Sequence, residues 1–220
     1  MDSLRDAEPV ARGPAVAVLG ACGGAGASSF AAALAAVPPP PARRCTLLDL
    51  DGIGGGADVL LGLEHEPGAR WSDIRLGGGT LAPEALRDRL PAAGPIGVLA
   101  WDEGAQPADR DVEQVVGAAR AAGPVVLDLP RWLPGPARAA LRQVDIAVVL
   151  IPGEVRALLA ADALLRRLDG LGVRAGPVLR PGVIDGPGAA ALLGREPIAV
   201  LPRAPWLGGD AGGVLRVEAV

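Results

Sequence analysis

Short continuous apolar runs alternate along the chain with stretches whose apolar residues recur every three or four positions. The runs are Ala15–Leu19, Cys45–Leu50, Ile96–Trp101, Pro124–Leu129, Asp145–Ile151, Val173–Leu179 and Pro197–Leu201. Continuous apolar runs of this length, bounded by Gly and Pro, predict strands buried on both faces. Between them, helices are predicted over Ser28–Ala36, Ala57–Leu63, Pro83–Leu90, 108–121, Pro136–Val144, Glu154–Leu168 and around Ala189–Leu193. The stripe at 112, 115, 116 and 119 is a helical face, as is the one at 155, 158, 159, 163, 164 and 168. Four prolines, Pro38 to Pro41, stop the first helix. Strands alternating with helices predict an α/β fold: a mostly parallel twisted sheet, right-handed crossovers and helices on both faces. The segment 64–95 and the tail depart from this alternation, and no internal repeat is present.

The first run leads directly into a glycine-rich loop, and the chain reads Ala15–Ala36 as AVAVLGACGGAGASSFAAALAA. Strand, glycine loop, helix is the arrangement that holds a phosphate. Glycines let backbone N–H groups converge, and the helix N-terminus adds partial positive charge. Two spacings fit. GGAGAS at Gly23–Ser28 approximates a nucleoside-triphosphate loop of the GGxGK[ST] kind, with Ala27 where lysine is expected. Gly20, Gly24 and Gly26 also fit the GxxxGxG loop of a dinucleotide reductase, with Asp49 or Asp51 for a ribose hydroxyl.

Composition narrows the choice. The chain has 220 residues, half of them apolar, enough for one sizeable α/β core. With four Trp, one Phe and no Tyr, that core is built from Ala, Val, Leu and Ile. Gly and Pro make up 54 residues, but they punctuate strong apolar runs and so predict turns rather than disorder. All 21 basic residues are arginine, none clusters in a block, and the net charge is −4, so neither nucleic acid nor an anionic membrane is indicated. Cys22 and Cys45 are expected to be buried free thiols. The charged start MDSLRDAEPVARGP is not a signal peptide, and no apolar run is long enough to cross a membrane, so a cytoplasmic location is expected. A short-chain reductase needs a Tyr acid and a Lys beside it; the chain has neither, which makes an NAD(P)-binding reductase the remote alternative. The triphosphate reading asks for a hydroxyl after the lysine position, met by Ser28. It also asks for a carboxylate near the γ-phosphate, met by Asp51, and an aspartate closing an apolar strand, met by Asp128.

The chain at this point resembles the MinD/ParA group of deviant-Walker P-loop ATPases. Within that group it is most similar to the CpaE/TadZ-like septum site-determining proteins (Ssd) of actinobacteria. The resemblance rests on GACGGAGASSFAAALA (20–35), LLDLDGIGGGADVLLG (47–62), RWSDI (70–74), VLAWDEG (98–104), VVLDLP (125–130) and DIAVVLIPGEVRALLAADAL (145–164), and it covers about residues 15–205. It implies a flexible lead-in over 1–14, one P-loop domain over 15–205 and a tail over 206–220. Nucleotide-binding residues would be Gly23, Gly24, Ala25, Gly26, Ala27, Ser28 and Ser29. Ser28, Asp51 and Asp128 would hold Mg²⁺, and Asp51 would be the catalytic carboxylate. The implied cofactor is ATP with Mg²⁺. The implied role is spatial regulation of cell division or of Flp/Tad pilus localisation, through protein partners and a possible homodimer, with peripheral recruitment to a membrane or pole through those partners.

Two departures change that picture. The group's loop carries two lysines, and here those positions are Cys22 and Ala27. A degenerate ATPase that acts by binding partners is therefore expected, with nucleotide binding weak or lost; an active ATPase using arginine in place of lysine is the alternative. Arg131 and Arg180 are the candidate substitutes. No receiver-like domain is expected ahead of residue 15, and 208–220 lacks the basic amphipathic stripe of the membrane-binding helix of MinD. Asp58 is expected to cap the short helix after it, His65 to lie in a solvated loop, and Trp71 and Trp101 to sit in the core or at an interdomain contact. Trp132 and Trp206 are expected at the surface.

Overall fold

A strand that is apolar at every position needs cover on both faces, and Ala15–Gly20 (β1) obtains it at the centre of an eight-stranded sheet. The computed structural model describes residues 12–102, 104 and 106–202. The lead-in before residue 12, Trp206 and the rest of the tail lie outside the described residues. The other strands are Cys45–Asp49 (β2), Ala92–Ala93 (β3), Ile96–Leu99 (β4), Val125–Leu129 (β5), Ile146–Pro152 (β6), Ala175–Arg180 (β7) and Ala199–Val200 (β8). Their order across the sheet is β3-β4-β2-β5-β1-β6-β7-β8. Every pairing is parallel except β3 with β4, an antiparallel pair of Ala92 and Ala93 with Gly97 and Ile96.

The helices are Ala27–Ala35 (α1), Ala57–Leu61 (α2), Pro83–Arg87 (α3), Asp109–Ala122 (α4), Gly135–Leu141 (α5), Val155–Gly170 (α6) and Gly186–Leu193 (α7). Successive strand residues point to opposite faces. Ala15, Ala17 and Leu19 accordingly join the cluster formed with α3 to α7, while Val18 joins Ala31, Ala32 and Ala35 of α1 on the other face. Alanine on α1 suits that place, because a small side chain lets the helix lie close to β1 and bring its N-terminus to the strand's end.

The predicted helix over Pro83–Leu90 ends at Arg87, since the chain must turn at Pro91 into β3. The two-residue strand β3 was not visible in the sequence, because Ala92 and Ala93 carry no period of their own. The 3₁₀ turn Trp71–Asp73 was not expected either.

Candidate functional site

The strand order reverses around β1: the chain crosses to β2 on one side, returns through β5 to lie beside β1, then passes to β6 on the other side. Ligands bind outside the carboxyl ends of strands at such a point. There the structure has a cleft of about 520 Å³, lined by Cys22–Ser29, Asp51, Ile53, Gly54 and Asp128–Trp132, with Gly20 at its base.

The loop's shape comes from its glycines. Gly24 and Gly26 have φ of 73° and 85°, the left-handed region where a Cβ is penalised. A Cβ on Gly20 would stand 3.1 Å from the Cys22 carbonyl oxygen. Gly26 is the N-cap of α1 and offers no side-chain cap, and no acidic residue lies in the first turn. The N-terminal N–H groups of α1 are thus left without a side-chain acceptor and open to an anion. All seven residues expected to hold nucleotide, Gly23 to Ser29, line this cleft together with Asp51 and Asp128.

The carboxylates divide by role. Asp49 and Asp128 are register partners on β2 and β5, 2 % and 4 % exposed. Asp49 accepts the backbone N–H of Asp51 at 3.0 Å and of Ala57 at 2.8 Å, so it closes the loop between β2 and α2 from inside. Burial, then the charge of Asp128, pushes its carboxyl up to about 7 against those two hydrogen bonds. Burial likewise pushes Asp128 up to about 6, opposed by a hydrogen bond from the Ser28 side chain and reinforced by the charge of Asp51. Asp51 is half-buried, lines the cleft and accepts the Ile53 N–H at 3.2 Å. Asp49 is therefore a support for the loop, and Asp51 is the residue it presents.

The RWSDI and VLAWDEG segments, 24 or more residues apart in sequence, meet behind that loop. The Trp71 indole N–H donates to the Asp49 carbonyl, and its backbone N–H donates to Ala100 at 3.1 Å. Ser72 bonds Asp102 through both its N–H and its hydroxyl. Trp71 is 1 % exposed and belongs to the core, whereas Trp101 is half-buried over Gly52, where a Cβ would stand 2.5 Å from its ring. Gly56, not Asp58, is the N-cap of α2, but the Asp58 carboxylate does accept the first-turn N–H of Val59 at 2.9 Å and also forms an ion pair with Arg70 Nε at 3.1 Å. That partner lies twelve residues away, outside the reach of a local capping rule. Cys22 is half-buried at the cleft rather than buried; Cys45 is buried, and burial pushes its thiol up to about 11. His65 is exposed, as expected. Trp132 is 49 % exposed beside Arg131 at the cleft edge. Both are turned outward because the next residue, Leu133, is buried with φ of 53°.

Hydroxyl and carboxylate oxygens of Ser28, Asp51 and Asp128 suit Mg²⁺, which uses one or two carboxylates together with substrate phosphates. Among the described residues no group of three His, Cys, Asp or Glu side chains could hold a metal ion on its own. The set therefore fits Mg²⁺ only as the companion of a phosphate.

No family model matches the chain. Two uncharacterized proteins of Mycobacterium tuberculosis, from strains CDC 1551 / Oshkosh and ATCC 25618 / H37Rv, are each 39 % identical to it over 200 residues. The match covers 89 % of this chain, and the chain spans 56 % of the length of those relatives. Among solved structures, the cell division ATPase MinD of Pyrococcus furiosus superposes with a TM-score of 0.73 at 18 % identity, covering 92 % of this chain and 89 % of that one. A ParA family ATPase from Chlorobium tepidum TLS gives 0.71 at 17 % identity, covering 88 % and 85 %. The fold is that of the MinD/ParA P-loop ATPases. The septum site-determining protein MinD of Pyrococcus horikoshii OT3, solved with Mg-ADP, shares it with a TM-score of 0.72 at 16 % identity, covering 92 % and 86 %. The expected fold class is thereby met. Within this MinD/ParA-like fold, no helix among the described residues is long and apolar enough to cross a membrane.

Proposed function

We propose that the chain is a degenerate member of the MinD/ParA ATPases that acts as a spatial regulator, in cell division or Flp/Tad pilus localisation, by binding protein partners. One observation carries this reading. The glycine loop and the uncapped start of α1 support a phosphate cradle, yet Ala27 and Cys22 stand in it where two lysines are expected. The lining of the cleft holds the carboxylates Asp51 and Asp128 against a single arginine, Arg131. Metal-free nucleotide would meet net repulsion there, so binding depends on Mg²⁺ at Ser28, Asp51 and Asp128.

A lost charge-assisted contact weakens binding by about 1.5–3 kcal/mol, or roughly 10–150-fold. The backbone cradle survives that loss. Turnover suffers more, since the lysines would stabilise charge in the transition state. Asp51, the candidate catalytic carboxylate, therefore serves a site that binds weakly and does not turn over.

Calorimetric titration with ATP and Mg²⁺ is the test. The expected result is weak, Mg²⁺-dependent binding without phosphate release. Tight binding with turnover that Asp51→Ala abolishes would establish the second reading, an active ATPase using arginine. Arg131 in the cleft lining is the observation that favours that second reading.

A further inference from the structure

Arg180 ends β7, paired in register with Pro152 of β6, on the far side of the loop from Asp128. Its guanidinium crosses to the phosphate loop and donates from Nη1 to the Ala25 carbonyl at 2.6 Å. It can do so because Gly26 has no side chain: a Cβ there would lie 3.0 Å from the same nitrogen. Among the described residues, Arg180 makes that one hydrogen bond and no ion pair, whereas Arg70, Arg120, Arg142, Arg166 and Arg195 each meet a carboxylate. A half-buried guanidinium keeps its full charge, and five N–H donors on a planar fork leave several free after one bond. Its charge thus lies close to the uncapped N-terminal N–H groups of α1.

We propose that Arg180 is the positioning cation of the phosphate loop. Its hydrogen bond to the Ala25 carbonyl holds the Ala25–Gly26 turn, where Gly26 is left-handed, and so positions the loop N–H groups from a strand that does not itself line the cleft. Arg131, exposed on the cleft rim, has no comparable contact with the loop. The assignment rests on the nucleotide reading for its ligand, but its loop-holding part is independent of any ligand.

The test compares Arg180→Gln, Arg180→Lys and Arg174→Gln by two measurements. The first is amide hydrogen exchange over 21–28 in the ligand-free protein. The second is calorimetric affinity for Mg-ADP at low and high salt. Arg180→Gln should speed exchange across the loop and weaken Mg-ADP by roughly 10–100-fold with a flatter salt dependence, because the loop loses both its tie and a nearby positive charge. Arg180→Lys, which keeps the charge, should bind within about fivefold of the unaltered protein. Arg174→Gln, an exposed arginine at the opposite end of β7, should change affinity by less than about threefold. Loop exchange and affinity both unchanged in Arg180→Gln would overturn the proposal. So would an Arg180→Lys protein as weak as Arg180→Gln. If the unaltered protein fails to bind Mg-ADP, the nucleotide reading falls, and with it the ligand part of the proposal; loop exchange in Arg180→Gln then decides the positioning role alone.

Discussion

Gly26 joins three requirements in one residue. It takes φ of 85°, it opens α1 and it leaves room for the Arg180 guanidinium. Gly26→Ala should therefore cost more than the roughly 1–2 kcal/mol of a left-handed L-residue, because the guanidinium must also move; urea denaturation measures it. Gly23, where an added Cβ would meet nothing, is the control for loop glycines. The buried carboxylates make a second residue-level prediction. Asp49 is raised to about 7 and Asp128 to about 6, both mainly by burial. A carboxyl whose folded pKa lies above its unfolded one favours folding most while protonated. Ionising it in the folded protein is costly, so stability falls as pH rises from about 4 through 7. In Mg²⁺-free buffer the melting temperature should drop across that window, and Asp49→Asn should flatten the drop. A melting temperature that rises from pH 5 to pH 7.5 would show that these carboxyls titrate normally. The sequence marked Asp49, Asp51 and Asp128 together. It could not separate the loop's support from its cleft-facing residue, because that depends on which oxygens meet the Asp51 and Ala57 N–H groups.

At the scale of elements, the strands were the most legible part. Ala15–Leu19, Cys45–Leu50 and Pro124–Leu129 come within one residue at each end of β1, β2 and β5, because a fully buried strand writes itself as an unbroken apolar run. The 3₁₀ turn Trp71–Asp73 was illegible for the opposite reason: apart from the Arg70 N–H that Asp73 accepts, its stabilising partners are Asp49, Ala100 and Asp102, all more than twenty residues distant. The RWSDI and VLAWDEG segments stood out in the sequence only as fragments of a resemblance; the structure makes them one clamp on the back of the Asp51 loop. Trp71→Phe keeps most of the buried volume and removes the indole N–H, leaving the Asp49 carbonyl without that donor. It should destabilise by about 1–3 kcal/mol, against about 3–5 for Trp71→Ala. Arg70→Ala leaves Asp58, whose side chain is 11 % exposed, with the Val59 N–H but no charge partner, and should cost about 3 kcal/mol. Denaturant titrations of the three variants check the order. A Trp71→Phe protein as stable as the parent would mean that the indole bond does not hold the loop.

For the molecule as a whole, the fold and the chemistry it supports are separate questions. The fold is of MinD/ParA type, and fold alone assigns no activity. What distinguishes this chain is a charge balance at one cleft, and that can be reversed by substitution. Ala27 is the first residue of α1 and lines the cleft, so a long side chain there has open space ahead of it and little helix propensity to lose. Ala27→Lys should raise Mg-ADP affinity by roughly 10–150-fold, the worth of one charge-assisted phosphate contact. It should leave the ligand-free melting temperature within about 4 °C, because Ala27 is only partly buried against the core and a lysine stem can extend into the cleft. At a ligand concentration about a hundred times Kd, binding adds about 2.7 kcal/mol of stability, which for a chain of this size appears as roughly 5–11 °C. The same nucleotide concentration should thus shift the variant by at least about 3 °C more than the parent, and chelating Mg²⁺ should remove the shift. A lysine variant with no shift would mean that the cradle no longer converges on a phosphate. The loss at Ala27 would then have followed the loss of binding rather than caused it.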